Sequence, residues 1–165
     1  MSEWTQRTVR DSMSVYSEMA LPNDANPLGH LLGGKVMHLV DIAGAIAASR
    51  HSRCPVVTVA IDYMNFLHPI HIGQLVVLQS AVNRVFHTSM EVGVTVSVED
   101  LMTGEVRHTS SAYLTFVALG PDGRRVMVPP VVPETEEEKH RYEEAGRRRE
   151  YRLQLRNRSR DKDGR

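Results

Sequence analysis

The chain has 165 residues, 41% of them hydrophobic and 24% charged, with 20 Lys and Arg balancing 20 Asp and Glu. Zero net charge leaves no bulk electrostatic case for nucleic acid or a membrane surface, and a single cysteine, Cys54, rules out an internal disulfide framework or a multi-cysteine zinc site. Residues 1–5 lack the basic-then-apolar pattern of a leader, and the longest apolar stretch, residues 39–48, is short and carries Asp41, so one soluble cytoplasmic domain is expected.

Residues 9–21 alternate loosely up to Pro22-Asn23-Asp24, which predicts a first strand. A loop rich in Pro, Asn and Gly follows over 22–34. The period then lengthens. Met37, Val40, Gly44, Ala47 and Ala48 recur at helical spacing, which predicts a helix over 34–50. Ala43, Gly44, Ala45, Ala47 and Ala48 make it thin, so it can lie close to whatever covers it. After Pro55 the period becomes two. Val57, Val59, Ile61 and Tyr63 predict one strand face, and Val76, Leu78, Val82 and Phe86 the next. Met90, Val92, Val94, Val96 and Val98 form a third face, and Val106, Ala112, Leu114, Phe116 and Ala118 a fourth. The turns between them are short, at 68–73, 86–88 and 103–104, and short connections make neighbours antiparallel. Pro121-Asp122-Gly123 and a strap carrying Pro129, Pro130 and Pro133 lead to a helix start at Glu134-Thr135-Glu136-Glu137-Glu138, whose acids suit the helix dipole.

These elements predict an α+β fold in which a twisted antiparallel sheet of five to six strands wraps one buried helix. Residues 1–133 form this body, and 134–165 a basic C-terminal helix and tail. An open sheet edge predicts at least a dimer. The balanced net charge conceals an asymmetry: residues 139–165 hold 11 Lys and Arg against 5 Asp and Glu, leaving a tail of about +6 on a body of about −6. A solvated helix with a disordered last ten residues is expected there, with a few arginines available to an anion such as a phosphate. Aromatic interleaving and a recognition helix are missing, which argues against a nucleic-acid arm.

Asp41 is the first candidate for chemistry. Four residues after Met37 and three before Gly44, it falls on or beside the apolar helix face. A carboxylate there is costly unless compensated. The alternatives are a partly exposed flank residue bonded to His38 and a functional carboxylate. The second candidate is the loop Asn26-Pro27-Leu28-Gly29-His30-Leu31-Leu32-Gly33-Gly34. It brings an amide and a diglycine to a helix N-terminus, whose free N–H groups suit an oxyanion. A helix end at Gly33-Gly34 with a carboxylate two turns on reads as a hydrolytic site. No Gly-x-Ser-x-Gly elbow is present, Cys54 reads as structural, and the histidines show no metal spacing. His68 and His71 are placed to face one another in a turn.

The run from Asn26 to Asp41, Asn-Pro-Leu-Gly-His-Leu-Leu-Gly-Gly-Lys-Val-Met-His-Leu-Val-Asp, resembles the signature of hotdog-fold acyl-CoA thioester hydrolases of the cytosolic acyl-CoA hydrolase type. Further matches follow in order at 47–51, 56–59, 62–66, Pro69, Gly73, 88–92, 114–118, 128–130 and 133–138, so the resemblance covers about 8–155. It implies double hotdogs assembled as trimers of dimers, and hydrolysis of fatty acyl-CoA to fatty acid and CoA with no cofactor. It implies Asp41 as base or nucleophile and Asn26 completing the site from the partner subunit. It implies CoA contacts at Thr58, Thr88, Ser89, Arg147 and Arg148. Where the family has a glycine before Thr88, this chain has Phe86-His87. Two other readings compete. Asp24-Ala25-Asn26-Pro27-Leu28-Gly29-His30 is similar to an enoyl-CoA hydratase motif, but its histidine is one residue out of place. A non-catalytic acyl-CoA-binding module has no need of Asp41.

Overall fold

The computed structural model describes residues 5–163, with side chains through 158; residues 1–4, part of the segment read for a leader, and 164–165 lie outside the described residues. In chain order the elements are β1 (Arg7–Thr8), β2 (Ser14–Met19), α1 (Gly33–Ser52), β3 (Val56–Met64), β4 (Leu75–Phe86), β5 (Ser89–Glu99), β6 (Val106–Ala118), β7 (Val131–Val132) and α2 (Glu136–Asp163). Five strands make one antiparallel sheet in the order β2-β4-β5-β6-β3, and β1 pairs with β7 in a small parallel ribbon. The helix wrapped by a sheet is therefore present, with a second helix added on the sheet's other face. Among the described residues no helix is long and apolar enough to cross a membrane.

The alternation of β5 holds without a break. Met90, Val92, Val94, Val96 and Val98 are all buried against α1. On α1 itself Val36, Leu39, Val40, Ala43, Gly44, Ala47 and Ala48 are buried. Gly44 sets the distance between helix and sheet: a Cβ there would lie 2.9 Å from two carbons of the Phe116 ring. Met37, expected on the buried face, is exposed, because the sheet covers the stripe one position to its side. His51 is buried at the end of α1, and its ring Nε2 lies 2.8 Å from the Pro129 carbonyl oxygen. Burial holds the His51 pKa below the ordinary histidine value, more strongly than the Pro129 hydrogen bond raises it.

Residues 9–21 are not one strand. A 3-10 turn spans Val9–Ser12 before β2, because Asp11 accepts hydrogen bonds from the Thr8 N–H and hydroxyl at 2.8 and 3.1 Å. Three β-bulges overturn two of the expected strand faces. In β3 the register shifts between Thr58 and Ala60 and again between Ile61 and Tyr63. Val57 and Tyr63 therefore share a face with Val117 and Tyr113 on the outer side, while Ile61 falls in with buried Leu114. In β4 a shift between Val82 and Arg84 leaves Val76, Leu78 and Val82 inside but turns Phe86 to the outer side. Val106, at the start of β6, is exposed.

α2 starts at a capping box. The Thr135 hydroxyl accepts from the Glu138 N–H at 3.1 Å, and Glu138 Oε2 accepts from the Thr135 N–H at 3.2 Å. The helix continues to Asp163, further than the disordered last ten residues expected from composition. Its contact with the sheet is made by guanidinium groups. Glu91, fully buried on the outer face of β5, accepts from Arg148 Nε at 3.1 Å and Nη2 at 2.7 Å, and from Asn83 Nδ2 at 3.0 Å. Arg148 also lies over the Tyr113 ring at 3.7 Å. Burial disfavours the Arg148 charge, but the hydrogen bond and charge of Glu91, with Tyr113 and Glu144, together outweigh it and hold the guanidinium above its ordinary pKa. Further along, Arg152 pairs with Asp62.

Candidate active site

Asp41 stands on the half-buried flank of α1, where β3 passes alongside. The Thr58 hydroxyl donates to Asp41 Oδ1 at 2.5 Å. Thr58 pairs with Phe116 across the sheet and so faces α1 with it. The bond to His38 that went with the exposed-flank alternative does not form; β3 supplies the partner instead. Thr58, read from the resemblance as a CoA contact, is thus a fixed neighbour of the carboxylate. A hydroxyl bonded to a carboxylate holds one oxygen in place and leaves the other to act.

The loop before α1 is tightly tied. Asn26 Oδ1 accepts from the Leu28 and His30 N–H groups at 2.9 and 3.0 Å, and the Asn26 N–H donates to the His30 carbonyl at 2.7 Å. With its oxygen used, Asn26 keeps Nδ2 as a donor that has no partner among the described residues. The Leu31 N–H donates to the Ile70 carbonyl at 2.8 Å and the Leu32 N–H to the Asp24 carbonyl at 2.9 Å. Lys35 clamps the loop to β2 through Glu18 at 2.8 Å and Asp24 at 3.4 Å. Hydrogen bonds from Lys35 and then Tyr16 hold the Glu18 carboxyl below its ordinary pKa. The imidazoles that meet are His30 and His71, edge to face at 4.8 Å, rather than His68 and His71. The reason is the bridge between residues 30 and 71, which joins two loops the sequence leaves separate.

α1 begins at Gly33-Gly34 with no side-chain cap on Leu32. Neither glycine N–H has an acceptor among the described residues, and a Cβ at Gly34 would meet nothing within 4 Å. Gly34 is thus open, while a Cβ at Gly33 would touch the Phe66 ring at 3.6 Å; free N–H donors at a helix start are what an oxyanion site requires. Seven residues separate Gly34 from Asp41, about 10 Å along the helix axis at 1.5 Å per residue. One carbonyl cannot lie within about 3 Å of both groups in a single copy. The hydrolytic pair expected along one helix is therefore too far apart within one chain.

The remaining predicted residues lie elsewhere. Thr88 and Ser89 are at the β4–β5 turn, where His87 takes a left-handed φ of 60° in place of a glycine. Arg148 is committed to Glu91 beneath α2, and Arg147 pairs with Glu144 at 2.6 Å. Among the described residues no group of three His, Cys, Asp or Glu side chains is placed to hold a metal. Cys54 is half-buried and packs against the core. Sequence reasoning passed over Glu91 and Asn83; in the alternation of β5, Glu91 looks like any solvent-facing residue. β3 is long and apolar, with Val57, Val59, Ile61 and Tyr63 exposed, and its edge away from β6 has no strand partner among the described residues.

Comparison with known proteins points to one family. The sequence profile described as "Thioesterase superfamily" matches residues 28–105. An uncharacterized acyl-CoA thioester hydrolase of Bacillus subtilis is 45% identical over 132 residues, covering 80% of this chain and 77% of its own. The acyl-CoA hydrolase of Staphylococcus aureus, solved with butyryl-CoA, CoA and CoA disulfide, superposes with a TM-score of 0.88 at 31% identity, over 97% of this chain and 98% of that one. That hydrolase has also been solved with an aspartate, an asparagine or a threonine replaced by alanine. A hexameric acyl-CoA thioesterase superposes with a TM-score of 0.87 at 38% identity, over 92% of this chain and 97% of that one.

Proposed function

The chain belongs to the thioesterase superfamily, among its acyl-CoA thioester hydrolases, and on that footing we propose that it hydrolyses fatty acyl-CoA to free fatty acid and CoA at sites shared between two copies. One observation carries the reading: a carboxylate on a helix lined with buried small residues, held at 2.5 Å by Thr58. The wide separation of Asp41 from the free N–H groups of its own helix favours a site built from two chains. Pairing of exposed β3 edges across a two-fold axis would bring a second copy's Asn26 loop and helix start toward Asp41. The hexameric relative fits further assembly as a trimer of dimers. An Asp, Asn and Thr are also the residue types replaced in the Staphylococcus aureus hydrolase.

In this reading Asp41 activates a water, or attacks the thioester carbonyl itself. As the carbonyl carbon becomes tetrahedral, charge builds on its oxygen. The N–H groups of Gly33 and Gly34 and the Asn26 Nδ2, all from the second copy, receive it. The C–S bond then breaks, and the CoA thiolate takes up a proton; where Asp41 itself has attacked, water then hydrolyses the acyl–Asp41 anhydride, releasing the fatty acid and restoring the carboxylate. Thr58 positions the Asp41 carboxylate, and the CoA arm runs past the turn at Thr88 and Ser89. The chemistry draws on water, side chains and backbone N–H groups, with CoA entering as part of the substrate. We place it in the cytoplasm, where an unpaired thiol such as Cys54 stays reduced.

A free-thiol assay over acyl-CoAs from acetyl to palmitoyl tests the proposal. Asp41→Ala is expected to lower kcat by roughly 10²- to 10⁴-fold while acyl-CoA still binds. Asn26→Ala should do the same less severely, and Thr58→Val should cost about tenfold, the value of one hydrogen bond to a charged group. No thiol released from any chain length, or hydration of crotonyl-CoA in its place, would overturn the reading.

A further inference from the structure

The loop that carries Asn26 rests on the turn before β4, and the two meet through a pair of imidazoles that the proposed chemistry leaves unused. His30 and His71 pack edge to face, with ring centroids 4.8 Å apart and planes at 86°. Their backbones form an antiparallel bridge, and beside it the Leu31 N–H donates to the Ile70 carbonyl at 2.8 Å. Leu31 and Ile70 are buried, so each loop is rooted in the core one residue away from its histidine. The rings themselves lie at the surface, His30 half-buried and His71 exposed.

One ring is fixed from behind, and the other is tied to Asn26. The His71 N–H donates to Gln74 Oε1 at 2.9 Å, and the Gln74 N–H donates to the His71 carbonyl at 3.2 Å. This turn is fastened to the end of β2, where the buried Ala20 donates to the Gln74 carbonyl at 2.9 Å and accepts from the Gly73 N–H at 2.8 Å. His71 is therefore a fixed post. His30 holds Asn26 twice: its N–H donates to Asn26 Oδ1 at 3.0 Å, and its carbonyl accepts from the Asn26 N–H at 2.7 Å. The side-chain amide is planar, so bonds that fix Oδ1 also fix the direction of Nδ2. Lys35 holds the start of the same loop at Asp24, and the ring pair holds its far end.

We propose that His30 and His71 are positioning residues: their edge-to-face pair locks the loop so that Asn26 Nδ2 stays aimed into the site it shares with a second copy's Asp41. Neither ring touches the reacting atoms, and both act through Asn26. The assignment deepens the thioesterase reading and rests on it. An edge-to-face pair shifts an equilibrium by about twofold to tenfold, and a donor to a developing oxyanion has its full effect only when it points the right way. Asn26 acts on the transition state, so the loss on breaking the pair falls on kcat and leaves KM in place.

Steady-state kinetics of the full-length protein, with a thermal melt of each variant, test the assignment. His71→Ala alters an exposed side chain and should keep its melting transition, while kcat falls about threefold to tenfold and KM changes by less than about twofold. His71→Leu, which fills the space without an aromatic edge, serves in its place if His71→Ala does not fold, with the same loss expected. His71→Phe keeps a ring and should restore kcat to within about twofold of wild type. In an Asn26→Ala background His71→Ala should lose nothing further, because its effect passes through Asn26. His68→Ala, in the same segment but outside the pair, should match wild type. Hydrogen exchange of the Leu28 and His30 amides, both bonded to Asn26 Oδ1, reads the lock without turnover and should quicken by the same factor in His71→Ala. Wild-type kcat in His71→Ala, a loss that falls on KM, no recovery in His71→Phe, a further loss on top of Asn26→Ala, or unchanged exchange would each overturn the proposal. No thiol release from wild type would overturn the thioesterase reading instead, and exchange would still decide whether the ring pair holds the loop.

Discussion

The two helices cover opposite faces of one sheet and are attached by different forces. α1 is held by size. Its buried residues include Ala43, Gly44, Ala47 and Ala48, and the Phe116 ring fills the space a side chain at Gly44 would need. α2 is held by charge. Arg148 and Arg152 reach down to Glu91 and Asp62, and Ala145 is the one residue of α2 among the described side chains that is fully buried. Apolar packing places α1 wherever small residues allow close approach, whereas guanidinium–carboxylate pairs fix α2 at particular points. The first attachment is spread over a face, and the second depends on a few atoms.

That contrast predicts different sensitivities. The largest effect is expected beneath α2. Arg148→Ala leaves the Glu91 carboxylate buried with only Asn83 beside it, which should cost about 3–5 kcal/mol in denaturant unfolding. A loss below 1 kcal/mol would mean that α2 is not pinned through this pair. Next, Gly44→Ala drives a methyl into Phe116 and should cost about 1–3 kcal/mol. Neutral behaviour would show that α1 and the sheet can part without penalty. The smallest effect sits where α1 ends. His51 is buried with its pKa lowered from 6.5, so the folded protein prefers the neutral ring and the unfolded chain binds the proton more readily. Its contribution to stability is complete above pH 6.5 and is lost as pH falls below, by at most about 1.4 kcal/mol per pH unit. Unfolding of His51→Leu across pH 5–7 should lose that slope, and a slope identical to wild type would contradict the assignment.

The same contrast explains what the sequence made legible. Periodicity and small residues identified α1, the unbroken β5 face and the antiparallel order, because each is a local pattern set by burial. Asp41 was legible too, since a charge in a thin apolar helix breaks that pattern. The bulges in β3 and β4 were not, because register is decided by the strand across the way. They moved Phe86 to the outer face and set Ile61 apart from Val57 and Tyr63. The arginine contacts of α2 were hidden for a related reason. In a run such as Arg147-Arg148-Arg149, helix phase and distant partners decide that the first meets Glu144, the second Glu91 and the third Phe86. Family resemblance named Thr58 as a ligand contact, and the fold adds its bond to Asp41.

Mixed oligomers test the shared site most directly. Asp41→Ala and Asn26→Ala chains, each close to inactive alone, are refolded or co-expressed together and assayed for thiol release. Two-copy sites predict recovery toward about a quarter of wild-type activity, because half the dimers are mixed and each holds one intact site. Activity no greater than the sum of the separate variants, in a preparation proven to contain mixed dimers, would contradict the account.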